Sequence, residues 1–437
     1  MAENQKIITR FAPSPTGFLH LGAYRTAMFA YLHAKKHGGK FIVRIEDTDK
    51  ERSKKEYEEN IMESLHWMNL EHDEFYRQSE NVETHKKYLE KMIENGNAYV
   101  SKEEAKDGSG VIKEIVRFKN PNIDVTFNDL IKGEVTMNTK DLGDFVLAKN
   151  LNEPLFHLAV VVDDFEEGVT HVIRGEDHVS NTPRQILIQR AIDAPTPIYA
   201  HLPLVLGPDK LKLSKRRGAL PITEYQKQGF LPEAILNGIA FVGWNPGTEK
   251  EIFTHDELVE AFDLERVQKS PAVFNETKLE WFNKEHMNKL PYQEIEKNIL
   301  ERLPENLKEK KLVSTIFERI TKWSDVDTML SSGELEYFVN APSFAKEKLI
   351  YKDTPIEKIN ENINSIINAL ESIPDENFDQ ENIKDSVMEI ANKAENRGAV
   401  LHPMRYALTG LDKSPDPFTV GGILGKNETI SRLKKAL

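Results

Sequence analysis

Lys6-Ile7-Ile8-Thr9-Arg10-Phe11-Ala12-Pro13-Ser14-Pro15-Thr16-Gly17-Phe18-Leu19-His20-Leu21-Gly22-Ala23 is the stretch on which the fold turns. Lys6 to Ala12 is a short, largely apolar run that suits a strand, and the two prolines and the glycine after it cannot continue one. Beyond the turn, Ala23, Ala27, Met28, Tyr31 and Ala34 recur at helical spacing. Gly38-Gly39 stops that helix before the strand-like Phe41-Ile42-Val43-Arg44-Ile45. Strand, loop, helix and strand in this order predict a β-α-β unit, the start of a doubly wound parallel sheet. Ligands of such sheets sit beyond the carboxyl ends of the strands, where the Pro13 to Ala23 loop would lie.

Working outward, helical patterns follow, one opened by Ser53 with Glu56 three residues on and another stopped near Gly96. From Ala98 to Asn150 the periodicity weakens into short strand-like pieces such as Lys132 to Met137, as expected of an inserted α+β module. The parallel-sheet signature returns with Val160-Val161-Val162 and with Val169 to Ile173. Thr182-Pro183-Arg184-Gln185 reads as a capping box, and Ile198 to Leu206 as a strand leading into a basic loop. After Leu220 the pattern is mainly helical, with Ile383, Val387 and Ile390 as one apolar stripe.

The chain is 437 residues long, too many for one ordinary core, so several domains are expected. Hydrophobic residues at 39% and charged residues at 30%, with no long apolar run, predict a cytoplasmic globular protein with no membrane segment. Met1 to Lys6 has neither the apolar core nor the Arg-rich pattern of a targeting signal. The sequence has no cysteine, which excludes disulfides, thiolate nucleophiles and cysteine-built zinc sites. His171, His178 and His201 do not match a zinc spacing either, so no structural metal is expected. The net charge of -13 argues against indiscriminate binding to nucleic acid, so any RNA contact must be local and basic.

Three stretches carry candidate chemistry. The Pro13 to Ala23 loop stands where a strand gives way to a helix, a junction that points N–H groups and the positive helix end at an anion. There Gly22 would let a nucleotide approach the backbone and His20 could donate to a phosphate oxygen. A tight turn with a helix-capping histidine fits the same pattern. Lys210 to Arg217 holds five cations in eight positions, a reversal in an acidic chain, although a solvated basic loop would look alike. Arg10, Arg44-Ile45-Glu46-Asp47-Thr48-Asp49 and Arg174-Gly175-Glu176-Asp177-His178 stand near strand ends. An amino-acid substrate needs a carboxylate for its ammonium and an arginine for its carboxylate, and salt bridges at strand termini would use the same residues.

Taken together, these residues resemble the bacterial-type glutamyl-tRNA synthetases, class I aminoacyl-tRNA synthetases, over essentially the whole chain. Thr9 to Gly17 with His20-Leu21-Gly22-Ala23 is similar to the family's HIGH signature, and Lys212-Leu213-Ser214-Lys215-Arg216 to its KMSKS signature. Gly38-Gly39-Lys40 with Arg44 to Asp49, Val162-Asp163-Asp164, Val172 to His178 and Asn181 to Gln185 stand where the family places such stretches.

The resemblance implies an ATP-dependent ligase that forms glutamyl-adenylate and transfers glutamate to the 3′-terminal adenosine of tRNA(Glu), with tRNA(Gln) left open. By it, Arg10, Ser14 and Glu46 hold the glutamate backbone groups, Arg174 pairs with the side-chain carboxylate, and Phe156 lines the same pocket. Pro13, Thr16, Gly17, His20, Gly22, Thr182, Ser214 and Lys215 fall to ATP, with His20, Gly22 and Lys215 on the phosphates and Thr182 beside the nucleotide. Catalysis is implied for His20, Lys212 and Lys215, and Mg2+ arrives with the ATP. The implied layout is a Rossmann-type catalytic domain in two halves, 1–97 and 154–220, split by an α+β acceptor-stem insertion at 98–153. A stem-contact domain at 221–321 and a helical anticodon-binding domain at 322–437 follow, in a monomer.

Two departures stand out. Phe156-His157 replaces the Tyr-Asn or similar pair of many relatives, removing a hydroxyl near the substrate. Tyr99-Val100-Ser101 lacks their Cys-x-Cys, which implies a zinc-free insertion. Among rival readings, a glutaminyl enzyme carries a different first loop, and a short tRNA-modifying paralogue lacks the helical region from Lys322 to Leu437. A catalytically dead RNA-binding relative would have no chemical need for both His20 and Lys215.

Overall fold

The opening apolar run forms β1 (Ile8–Phe11), and α1 (Leu21–Lys36) returns the chain to β2 (Lys40–Ile45), which pairs with β1 in parallel. Gly38 takes φ +63° where the helix ends. A Cβ on Gly39 would lie 2.1 Å from the Ile7 carbonyl oxygen, so only glycine makes this corner. The computed structural model describes residues 6–104, 112–213 and 220–437, which divide into two units, Met1–His286 and Met287–Leu437.

In the first unit, α2 (Lys55–Trp67), β3 (Glu74–Arg77) and α3 (Val82–Glu94) complete the opening half. There follow β4 (Ala98–Glu104), β5 (Ile112–Phe118), β6 (Asp124–Asp129), β7 (Gly133–Asn138), β8 (Val146–Asn150) and β9 (Glu153–Pro154). Next come α4 (Phe156–Glu166), β10 (His171–Gly175), α5 (Thr182–Ala191), β11 (Ile198–Leu202) and β12 (Val205–Leu206). The main sheet runs β3-β2-β1-β10-β11-β6-β7, parallel as far as β6, with β7 antiparallel at the edge. Within the insertion, β4-β5-β8-β9 form an antiparallel sheet, while the β6-β7 hairpin joins the main sheet through Asp129 opposite Tyr199. The strand order reverses between β1 and β10, which opens a crevice at their carboxyl ends.

Three local readings of the sequence are corrected. Val160-Val161-Val162 lies in α4, not in a strand, because a short apolar run does not separate a buried strand from a buried helix. Leu158 to Asp164 is buried continuously as α4 packs against α3 and α5. The capping box expected at Thr182 to Gln185 is not formed, because the Thr182 hydroxyl is engaged by Arg174 and His201 in the core. Ser53 does not cap α2 either; that helix starts after Lys54 without a side-chain cap.

The first unit continues through α6 (Ile222–Lys227), α7 (Pro232–Ala240), α8 (His255–Ala261), β13 (Ala272–Val273) and α9 (Glu276–Met287), with β13 parallel to β12. Helix α1 is buried on most sides because the sheet covers it on one face and α7 and α8 on another. The second unit is helical: α10 (Tyr292–Leu300), α11 (Lys310–Phe317), α12 (Ser324–Ser331), α13 (Ile356–Glu371), α14 (Gln380–Lys393), α15 (Gly398–Thr409), α16 (Pro417–Leu424) and α17 (Lys426–Ala436). Ile363, Ile366, Val387, Val400 and Leu433 meet in its core. Among the described residues no helix is long and apolar enough to cross a membrane.

Candidate active site

The crevice at the β1/β10 switch opens into a cavity of about 370 Å³. Its lining includes Arg10, Pro13, Ser14, His20, Gly22, Glu46, Phe156, Arg174 and Lys212, so the loop after β1 and the start of the basic stretch share one site. His20 and Pro221 form an antiparallel bridge, which brings the chain just beyond that stretch against the first loop. Ser214 and Lys215 lie outside the described residues. Thr16 is exposed and Gly17 half-buried, neither on the cavity wall, and Thr182 is fully buried behind Arg174.

His20 is the N-cap of α1, and its Nδ1 accepts the Gly22 N–H at 3.0 Å. With Nδ1 accepting, the proton of the neutral ring sits on Nε2. The capping reading and the donor reading are therefore the same arrangement seen from two ring nitrogens. A Cβ on Gly22 would press on the His20 ring at 3.0 Å, so glycine here makes room for the cap itself.

Beneath the cavity lies a buried ion network. Arg10 Nε donates to Asp164 Oδ1 at 3.1 Å. Arg44, wholly buried, reaches Glu167 at 2.6 Å, Asp164 at 2.8 Å, Glu46 at 3.3 Å and Asp163 at 3.8 Å. These opposite charges hold Asp164 below the usual carboxylate range in spite of its burial. At Glu46 and Glu167 burial dominates: it raises Glu46, against the pull of Arg44 and Arg10, and pushes Glu167 up to about 8. Glu46 faces the cavity and, among the described residues, shares its one ion-paired cation with three other acids, so it is short of positive charge.

Arg174 has the opposite deficit. It is the last residue but one of β10, is 7% exposed, and among the described residues has no carboxylate within ion-pair distance. Burial lowers it to about 10. Its Nε donates to His201 Nε2 at 3.1 Å and its Nη2 to Thr182 Oγ1 at 2.9 Å, both neutral partners. Among the described residues, one cavity thus holds a buried acid whose single ion-paired cation is shared and a buried guanidinium with no carboxylate at ion-pair distance, a pairing that suits a zwitterion carrying a further carboxylate.

Asp164 and His178 stand in stretches quoted from the sequence, but no role was assigned to either of them there. Asp164 was detectable as a charge inside an apolar run. His178 lines the cavity with its ring 6.0 Å from Phe156, and burial, followed by Arg174, lowers it to about 4. Lys212 pairs with Asp177 at 3.1 Å at the rim. Among the described residues, no group of three or more His, Asp or Glu side chains is arranged to hold a metal ion.

A switch-point crevice flanked by a histidine-capped helix and a lysine-bearing loop defines a class I synthetase site, and the comparisons place it more narrowly. Residues 6–108 and 101–281 match the family described as tRNA synthetases class I (E and Q), catalytic domain, and residues 274–437 match the anticodon binding domain. Glutamate–tRNA ligase 1 of Petrotoga mobilis is 37% identical over 99% of this chain and 97% of its own. The glutamate–tRNA ligase of Thermodesulfovibrio yellowstonii is 38% identical over 98% of both. A solved glutamate–tRNA ligase from Elizabethkingia meningosepticum, in complex with its amino acid, superposes with a TM-score of 0.86 at 32% identity, covering 99% of each chain. The chain belongs to the glutamate–tRNA ligases. It is an ATP-dependent enzyme whose substrates are glutamate and tRNA.

Proposed function

We propose that this cavity binds glutamate with its ammonium on Glu46, its backbone carboxylate beside Arg10 and Ser14, and its side-chain carboxylate on Arg174, with Phe156 as an apolar wall. The observation that carries the reading is Arg174, a buried guanidinium held by neutral partners and, among the described residues, with no carboxylate at ion-pair distance. ATP lies along the loop after β1, with Mg2+ arriving on its phosphates. His20 donates from Nε2 to a phosphate oxygen, Gly22 leaves the space, and Lys212, Ser214 and Lys215 bring positive charge and donors from the basic loop.

A carboxylate oxygen of glutamate then attacks the α-phosphorus of ATP and diphosphate leaves. Two anions approach in that step, so preorganised cations and donors must offset the charge that gathers in the transition state. In the second step the terminal ribose hydroxyl of the tRNA attacks the glutamyl carbonyl and AMP leaves, a reaction governed mainly by orientation. A guanidinium facing an amide NH2 opposes donor to donor, which disfavours glutamine. Residues 98–153 and 221–321 contact the acceptor stem side of the RNA, and 322–437 the anticodon.

The test is aminoacylation of purified tRNA(Glu) and tRNA(Gln) with labelled glutamate. Transfer to tRNA(Glu) is expected, and transfer to tRNA(Gln) reports the RNA range. Charging that runs equally well with glutamine would overturn the assignment of Arg174.

A further inference from the structure

Behind Arg174 stands a chain of buried groups that begins in the inserted segment. Asp129, the last residue of β6, is 1% exposed. Its Oδ1 accepts the backbone N–H of Ile131 at 2.9 Å and of Lys132 at 2.8 Å, which fixes the turn between β6 and β7. Its Oδ2 accepts the His201 backbone N–H at 3.1 Å and lies 2.6 Å from His201 Nδ1. These donors hold Asp129 ionised in spite of its burial.

His201 is fully buried on β11, directly opposite Arg174 in the parallel register. Arginine has only donors, so His201 Nε2 must accept from Arg174 Nε, and the ring proton is on Nδ1, where Asp129 takes it. Burial keeps the ring below its ordinary value, consistent with this neutral tautomer. On the other side, Thr182 Oγ1 accepts from Arg174 Nη2 and is itself oriented by the His178 carbonyl oxygen, 3.3 Å away. The guanidinium is therefore gripped at Nε and at Nη2, while among the described residues Nη1 has no hydrogen-bond partner.

We propose that Asp129, His201 and Thr182 are positioning residues for substrate selection: they lock the Arg174 fork with Nη1 presented to the side-chain carboxylate of glutamate. Asp129 sets the His201 tautomer, His201 holds Nε, and Thr182 holds Nη2. The preference for glutamate over glutamine thus depends on a strand contributed by the insertion, on residues that do not touch the substrate. The inference rests on the assignment of Arg174 to that carboxylate.

It is tested by ATP–pyrophosphate exchange on the full chain with tRNA(Glu) present, titrating glutamate, glutamine and ATP separately, with unfolding midpoints as the folding control. His201→Leu is expected to raise the glutamate KM ~10-fold or more, in line with the loss of an orienting partner behind a binding group, with the ATP KM nearly unchanged and the glutamate preference narrowed. His201→Gln, which offers an oxygen to Nε, is expected to restore part of both. Because His201→Leu leaves a buried carboxylate short of a donor, Thr182→Val is a second probe that exposes no charge. It is expected to raise the glutamate KM several-fold. Arg174→Ala should raise the glutamate KM alone, and adding His201→Leu to it should do no further harm. If Arg174→Ala raises the glutamate KM while His201→Leu, or Thr182→Val where His201→Leu does not fold, leaves it at the starting value, the relay is refuted and the Arg174 assignment stands. If Arg174→Ala has no effect on the glutamate KM, the underlying assignment fails instead.

Discussion

Arg10 Nε donates to Asp164 Oδ1 across 3.1 Å, joining the end of β1 to the buried face of α4. Asp164 also takes Arg44 at 2.8 Å, so one carboxylate stands between two buried guanidiniums. Taking the charges out of water costs several kcal/mol each, and the pairing offsets much of that cost. Asp164→Ala would leave both cations undercompensated. It is expected to destabilise the first unit by about 3–5 kcal/mol, read from denaturant unfolding, with Asp164→Asn milder. A loss under about 1 kcal/mol, the level of an exposed pair, would mean that the network contributes little to stability.

Glu46 sits higher than an ordinary glutamate because it is buried, with Arg44 and Arg10 only partly correcting this. In the free enzyme it therefore takes up a proton at a pH above the usual carboxylate range, whereas an ammonium in the cavity favours the ionised form. The kcat/KM for glutamate should fall as pH drops through that raised value. Glu46→Gln should abolish this acidic limb and lower kcat/KM by about 2–3 kcal/mol, roughly 30–150-fold, the scale of a lost charged hydrogen bond. A pH profile that keeps the same limb in the variant would assign it to another group.

How much of this was legible beforehand depended on range along the chain. The crossover from β1 to β2 is written in consecutive residues, since Gly38-Gly39 and the 23-27-28-31-34 spacing are local signals. The loop at Pro13 to Ala23 was readable as a strand-to-helix junction for the same reason, and the basic stretch that shares its cavity stood out by charge. By contrast, Val160-Val161-Val162 carries no period that tells helix from strand. The Thr182 hydroxyl pattern signalled a cap only while Arg174 and His201 were out of view. That Asp129 reaches His201 follows from β6 pairing with β11 across some seventy residues, a non-local pairing that no window of sequence contains.

Near the C-terminal end of α1 a buried histidine should couple stability to pH. His33 is 8% exposed, its Nε2 has no hydrogen-bond partner among the described residues, and its ring lies 4.7 Å from that of His37 and 5.0 Å from that of His171. Burial, then the neighbouring His171 and His37, lowers it to about 3. The unfolded chain thus binds more protons than the folded one between about pH 6.5 and the lowered value, so stability is full above 6.5 and declines as pH falls below it. Between pH 6.5 and pH 5 the decline due to this residue should reach about 2 kcal/mol, at about 1.4 kcal/mol per unit. His33→Leu should flatten that part of the curve. Equal slopes in the two proteins, measured by urea unfolding at both pH values, would show that the histidine is already neutral in both states or charged in both.

His20 offers a substitution that separates structure from chemistry. Its Nδ1 caps α1 through the Gly22 N–H, and the tautomer this requires puts the proton on Nε2 at the edge of the cavity. Asparagine is among the best N-cap residues, so His20→Asn keeps an acceptor for the helix end while removing the ring donor. Stability should stay within about 0.5 kcal/mol of the parent, since a good cap replaces a good cap. Adenylate formation should fall about 100–1000-fold in kcat, the scale of one lost donor to a developing oxyanion. Gly22→Ala supplies the converse case. Its Cβ would press on the ring that caps the helix, so it should cost about 1 kcal/mol of stability along with activity. Pyrophosphate exchange and unfolding measured on the same preparations decide the matter. If His20→Asn unfolds early yet turns over at the parental rate, the histidine serves the helix alone, and the phosphate contact must be sought elsewhere in the loop.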